Sequence, residues 1–177
     1  DLEWLVTRSE VEALLTEANL IKEHKPRYNV FLKDDKTFPY IRITKEPYPR
    51  VEIIRHKNLT KDDNDYFGPY TDAGHLREIL RVIHKIFPLR TCTYHIDDNL
   101  INEGKVSVCL DYHIKRCDGP CEGLVSEKEY GNMVLQIKHF LKGHNYEIKD
   151  YLTSQMNISS DNKRFENAAR YRDQLKI

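Results

Sequence analysis

The sequence predicts an α+β fold, and three observations carry that expectation. Two runs of period-two alternation, residues 39–44 and 50–55, flank a turn that contains Pro47 and Pro49, the pattern of an antiparallel hairpin. Five other stretches repeat apolar residues at the spacing of a helix face. The chain's four cysteines, Cys92, Cys109, Cys117 and Cys121, all fall within thirty residues, a clustering that points to a bound metal or cluster.

At 177 residues the chain holds one ordinary domain or two small ones. Hydrophobic residues at 40% permit a core, and charged residues at 32% supply a solvated surface. No apolar run reaches the eighteen or so residues of a membrane span. A formal net charge of zero gives no bulk attraction to nucleic acid. Local charge differs, because between Lys22 and Lys57 there are ten basic residues against five acidic ones. That segment, with Lys22, Lys25, Arg27, Lys33 and Lys36 as candidate DNA contacts, suits a phosphate backbone; the same composition also describes an ordinary solvated hairpin. The chain begins at Asp1 rather than Met and ends within a helical pattern at Ile177, so it is expected to be a fragment of something longer.

Taken in order, residues 3–7 read as the end of an edge strand. Ser9 with Glu12 three positions on forms a capping box, and Val11, Leu14, Leu15, Ala18 and Ile21 then recur on one helical face. Glu17 lies on the flank of that stripe, about 100° from its centre, where a carboxylate is ordinarily just solvated. Lys25-Pro26 ends the helix, because proline disfavours helical geometry in the residue before it. After the hairpin, residues 66–71 (YFGPYT) form a rigid aromatic loop whose rings either stack on bases or pack under the next helix. Thr71 or Asp72 caps that helix. Leu76, Ile79, Leu80, Ile83, Ile86 and Phe87 hold its buried face until Phe87-Pro88 stops it and delivers the chain to Cys92.

The cysteines follow the spacing C-x16-C-x7-C-x3-C. Four thiolates suit a tetrahedral zinc or an iron-sulfur cluster whose irons each take one cysteine. The spacing is less regular than the paired C-x2-4-C of a structural zinc site; only CDGPC is close, with Gly119 and Pro120 shaping a tight turn. Four free thiols packed as small hydrophobes are the alternative, and a disulfide framework is disfavoured in a chain of this length.

Beyond the cysteines, Ser126 and Glu129 make a second capping box. Tyr130, Met133, Val134, Ile137, Phe140 and Leu141 form the buried face of the helix it starts, and Gly143 stops that helix. Asn145 caps a further helix running to about residue 158, polar residues 159–162 supply a turn, and residues 165–177 are helical again. The pair makes a helical hairpin whose apolar seam, Leu152, Met156, Phe165, Ala168, Ala169, Tyr171 and Leu175, is too small to bury itself and wants a partner surface.

Three pieces together resemble one family, UvrC, the incision subunit of the bacterial nucleotide-excision repair nuclease. EALLTEANLIKEHKPRYN, residues 12–29, is similar to the last helix of the family's N-terminal GIY-YIG domain. FGPYT, FPLRTC and CLDYHIKRCDGPC resemble its cysteine-bearing region, and FENAARYRDQL, residues 165–175, resembles the UVR motif that binds UvrB. The turn of the hairpin departs from the family, with Ser159, Lys163 and Arg164 where relatives carry alanine, leucine and an acid.

The resemblance implies a division into residues 1–30, the truncated end of the nuclease domain; 31–88, a hairpin-and-helix connector; 89–145, a cluster-binding region; and 146–177, the UVR hairpin. It implies that Glu17 is the catalytic glutamate, holding a divalent cation such as magnesium at the scissile phosphate. It also implies a 4Fe-4S cluster on Cys92, Cys109, Cys117 and Cys121, with zinc as the alternative. Met156, Phe165, Ala168, Ala169 and Arg172 become the UvrB-binding residues. The implied protein is a cytoplasmic DNA-repair subunit that acts with UvrB on damaged double-stranded DNA, its N-terminal half making the 3′ incision, with no membrane partner. The family's general base and electrophilic arginine lie on strands and a helix that precede this segment, so these residues alone are expected not to cut. The rival reading is a metal-stapled adaptor between DNA and a protein, with Glu17 a bystander.

Overall fold

The computed structural model describes residues 4–7, 9–24, 26, 38–55, 62–70, 73–143 and 145–176. The chain divides into two compact units, Asp1–Arg81 and Val82–Ile177.

In the first unit, α1 (Glu10–His24) begins where the capping residues put it, with Ser9 Oγ accepting the Glu12 N–H at 3.2 Å. Leu15 is fully buried, Val11, Leu14, Ala18 and Ile21 are half-buried, and Glu17 is exposed. The expected edge strand before it is not formed: residues 4–7 join no sheet among the described residues, and Trp4, Leu5 and Val6 are 81, 71 and 87% exposed. Alternation makes a strand only where an edge is free to pair with it, and here it meets solvent.

The period-two runs do pair. Strand β1 (Pro39–Ile43) lies antiparallel to β2 (Val51–Arg55), with Ile41 opposite Ile53 and Ile43 opposite Val51. The register sets Arg42 beside Glu52, and their side chains close an ion pair at 2.6 Å. The aromatic loop starts one element earlier than the sequence suggested, since β3 (Asp65–Phe67) pairs with the other edge of β1 to give the order β2-β1-β3. Tyr and Phe favour a pleated, half-buried surface, and β1 offered them an edge. Beyond β3 the Tyr70 N–H donates to the Pro39 carbonyl at 3.1 Å, which buries the Tyr70 ring. Thr71 and Asp72, the expected caps, lie outside the described residues.

Helix α2 (Ala73–Ile86) carries the chain across the boundary between the units, with Leu76, Ile79 and Ile83 fully buried. In the second unit, Phe87 and Leu89 are buried, and two short helices follow, α3 (Asp98–Glu103) and α4 (Leu110–His113). A 3-10 turn, Pro120–Glu122, leads to α5 (Glu127–Leu141), whose capping box is complete in both directions between Ser126 and Glu129. The six expected apolar residues of α5 are all buried, and Gly143 ends the segment at φ 87°. Helices α6 (Asn145–Asp161) and α7 (Phe165–Gln174) pack on each other, and α6 packs on α5. The turn between α6 and α7 comes later than residues 159–162: Ser159 is buried inside α6, its carbonyl takes the Arg164 N–H at 2.8 Å, and Lys163 adopts the left-handed conformation at φ 59°. No helix among the described residues is long and apolar enough to cross a membrane.

Candidate functional site

The second unit brings the four cysteines to one place. Cys92, Cys109, Cys117 and Cys121 line a single small cavity together with Arg90, Val108, Asp111 and Gly119. None is in a disulfide; Cys117 is buried, Cys92 and Cys121 are half-buried and Cys109 is exposed.

Local rules place each sulfur. Cys109 is the extended residue before α4, and the Asp111 carbonyl at that helix's start accepts the Arg116 N–H at 2.7 Å and the Cys117 N–H at 3.1 Å, folding the segment back on itself. Asp111 Oδ2 also accepts the Thr91 hydroxyl at 2.7 Å, which ties the Cys92 side of the cavity to the Cys117 side. Gly119 takes φ 69°, and a Cβ there would stand 2.9 Å from Leu124 Cδ1, 3.0 Å from Tyr112 Cδ2 and 3.1 Å from Val108 Cγ1. Only glycine fits both the angle and the space. Pro120 then opens the 3-10 turn that carries Cys121, and Glu122 Oε1 accepts the Val108 N–H at 2.7 Å.

Two donors point at sulfur. The Gly119 N–H reaches Cys117 Sγ at 3.5 Å, and Arg90 Nη1 reaches Cys92 Sγ at 3.8 Å while donating to the Cys92 and Tyr94 carbonyls at 3.0 and 2.6 Å. Arg90 is 1% exposed, so a full positive charge sits in the wall of the cavity. Burial, reinforced by the other three thiols, pushes the Cys117 thiol up to about 11, and burial with Cys92 raises Cys121. Thiols held neutral this way ionise when a cation takes up the charge. Among the described residues no group of three or more His, Cys, Asp or Glu side chains stands in the arrangement that holds a single metal ion. The donor set itself is four soft sulfurs around one space, with hydrogen-bond donors and a cation beside them, a chemistry that fits a thiolate-bound metal or cluster.

The other expected site residues are distributed as follows. Glu17 and Lys22 are both exposed on α1; Lys25, Arg27, Lys33 and Lys36 lie outside the described residues. Of the remaining bases in that segment, Arg42, Lys45 and Arg50 are in ion pairs with Glu52, Asp63 and Glu46. On α7, Phe165, Ala168, Ala169 and Arg172 share one face by the i, i+3, i+4, i+7 rule; Phe165 is 66% exposed, the two alanines are half-buried and Arg172 is exposed beside Asp173 at 2.9 Å. Met156 is half-buried on α6.

Sequence reasoning missed two residues here. Arg90 carries no sequence signal of burial beyond its place between two apolar residues and a cysteine. Asp118, inside CDGPC, accepts from Arg170 Nη1 of α7 at 2.8 Å, a pairing 52 positions long that no local pattern announces.

Comparison with known proteins adds a second line. Three family models match in order along the chain: the UvrC-like GIY-YIG domain over residues 1–30, the middle domain of the UvrC/Cho excinucleases over residues 38–140, and the UvrB/uvrC motif over residues 147–176. The chain is similar to UvrABC system protein C of Chlorobium chlorochromatii, 51% identical over 99% of the chain and 28% of the relative, and to that of Chlorobium luteolum, 52% identical over the same shares. The protein of the same name from Alkaliphilus oremlandii is 50% identical over 98% of the chain and 27% of the relative. The chain therefore spans little more than a quarter of the length of these curated relatives. No solved structure matches.

Proposed function

The chain belongs to the UvrC family, and from that premise we propose that it is part of the DNA-incising subunit of a nucleotide-excision repair nuclease, working in the cytoplasm with UvrB at damaged double-stranded DNA. The observation that carries this reading is the gathering of four thiols around one cavity, inside the residues that match the excinuclease middle domain. The four-part division at residues 30, 88 and 145 belongs to the same proposal.

In this reading the cysteines hold a 4Fe-4S cluster, with zinc as the alternative, and the group supplies the covalent staple that joins residues 92, 109, 117 and 121. The chain's own part is to shape and charge the space. Arg90 places a fixed cation against Cys92, the Gly119 N–H steadies the Cys117 sulfur, and the Thr91–Asp111 bond keeps the two halves of the loop in register. Cys→Ser at any of the four positions is expected to remove both visible absorbance and bound metal, and to lower the thermal midpoint. Unchanged colour and stability would overturn the assignment.

Glu17 is the proposed ligand of a divalent cation in the nuclease corner, its exposure on α1 leaving both carboxylate oxygens open to a hydrated ion. Magnesium held there would supply positive charge at the scissile phosphate. Lys22, Lys25, Arg27, Lys33 and Lys36 are the proposed backbone contacts. In the full-length protein Glu17→Ala is expected to abolish the 3′ incision while DNA and UvrB binding persist; retained incision would make the chain an adaptor instead. The hairpin of α6 and α7 is the proposed UvrB-docking element, with Met156, Phe165, Ala168, Ala169 and Arg172 at the contact.

A further inference from the structure

Helix α7 has two faces with different attachments. Phe165, Ala168, Ala169 and Arg172 occupy one; Arg170 and Gln174 lie roughly 140° and 180° around the helix from Phe165. On that second face Gln174 is 8% exposed, and Arg170 reaches Asp118 in the cysteine turn at 2.8 Å, with the two side chains 25 and 26% exposed. Beneath the hairpin lies a cavity of about 410 Å3, lined by Cys117, Asp118, Tyr151, Arg170 and Tyr171 among others. The inner face of α7 thus meets the cysteine turn across open space, and the Arg170 Nε is buried with no hydrogen-bond partner. Helix α7 packs on α6, and on the side toward the cysteine turn, where close packing is missing, the charge-assisted bond to Asp118 adds to that packing in setting where α7 sits.

The other end of that bond is fixed by the cysteines. Asp118 is flanked by Cys117, whose N–H is held by the Asp111 carbonyl at 3.1 Å, and by Gly119, whose N–H is held by Cys117 Sγ at 3.5 Å. Any rearrangement of Cys117 moves Asp118 with it.

We infer that the Asp118–Arg170 pair is a latch through which the cysteine turn holds α7 with its Phe165 face outward, so that affinity for the docking partner depends on an intact cysteine site. This rests on the reading of the Phe165 face as the UvrB-docking surface. Asp118 and Arg170 are positioning residues here; neither touches the partner.

The test is the affinity of the full-length protein for UvrB by titration calorimetry, in six variants. Asp118→Asn and Arg170→Gln each weaken binding by about tenfold, the size expected for losing one half-buried charge pair. The charge-reversed double variant, Asp118→Arg with Arg170→Asp, recovers most of the loss. Cys117→Ser weakens binding to a similar degree and adds little on top of Asp118→Asn, since both act through one contact. Hydrogen exchange locates the effect: protection falls in α7 and stays in α5 for Asp118→Asn. The latch is overturned by loss with Arg170→Gln alone, which would make Arg170 a direct contact; by no rescue on reversal; by additive losses with Cys117→Ser; or by exchange that rises through α5 as well. Phe165→Ala separates the two readings. If it weakens binding while both single latch variants bind normally, the latch is wrong and the docking surface stands; if it binds normally, the docking surface itself is wrong.

Discussion

The phenol of Tyr130, fully buried on α5, accepts the backbone N–H of Arg90 at 3.1 Å across forty positions of sequence. This bond fixes the segment that leads into Cys92 against α5. Burial raises the Tyr130 hydroxyl far above its ordinary value, so the group stays neutral through the physiological range. Tyr130→Phe keeps the ring and removes the acceptor, which is expected to cost about 1–3 kcal/mol. Chemical denaturation of the second unit in its native chain measures it, and a change under about 0.3 kcal/mol would show that the bond contributes nothing net.

Gly119 and Gly104 give a matched pair of backbone tests. Both are left-handed, at φ 69° and 61°, but a Cβ at Gly104 meets nothing within 4 Å while one at Gly119 runs into three side chains. Gly104→Ala is therefore expected to cost only the conformational strain, about 1 kcal/mol. Gly119→Ala adds the collision with Leu124 and Tyr112 and is expected to cost roughly 2–4 kcal/mol, in the range of overpacked cores. Under the proposed cluster assignment it is also expected to lower metal content, because the crowded turn bears two of the four cysteines. Equal midpoints for the two variants, with equal metal, would remove crowding from the account of this turn.

His84 sets a pH dependence. Burial pushes its imidazole below the ordinary value, and the Arg116 guanidinium pushes the same way, with the Asp111 carboxylate working against both. A lowered folded value means that the unfolded chain binds the proton first as pH falls through about 6.5. Stability contributed by the neutral ring is thus full above that pH and is lost between it and the lower folded value. Folding free energy measured at pH 7.5 and pH 5.5 is expected to drop for the native chain, and His84→Gln to show a smaller drop. Identical drops would assign the slope to other groups.

Elements with one dominant local signal were legible in the sequence. The hairpin follows from alternation, α2 from its apolar spacing, and α5 from Ser126 and Glu129. The four cysteines announced a common site by number and proximity alone. What sequence could not give were features decided at long range. Helices α3 and α4 are six and four residues long, too short for a periodic pattern; the Asp97 cap and the left-handed Gly104 around α3 were its only marks. Strand β3 exists because β1 had an edge to offer, which three residues cannot say of themselves. Ser159 reads as turn by composition, yet α6 has enough packing against α5 to carry it on to Asp161, tertiary contact overriding a weak propensity.

Phe165 carries the sharpest contrast between stability and binding. At 66% exposure it buries too little for its removal to disturb the fold, and exposed truncations away from special backbone positions change stability by about 0.5 kcal/mol or less. A large aromatic at the start of α7, on the face opposite Arg170, instead suits an anchor that gains its burial from a partner. Phe165→Ala in the full-length protein is expected to leave the thermal midpoint in place and to weaken UvrB binding by about 2 kcal/mol or more, some thirtyfold. Binding is read by calorimetry and the midpoint by circular dichroism. A midpoint that falls with unchanged affinity would reverse the assignment, making Phe165 a packing residue of the hairpin and moving the contact to Met156 and the α6 face.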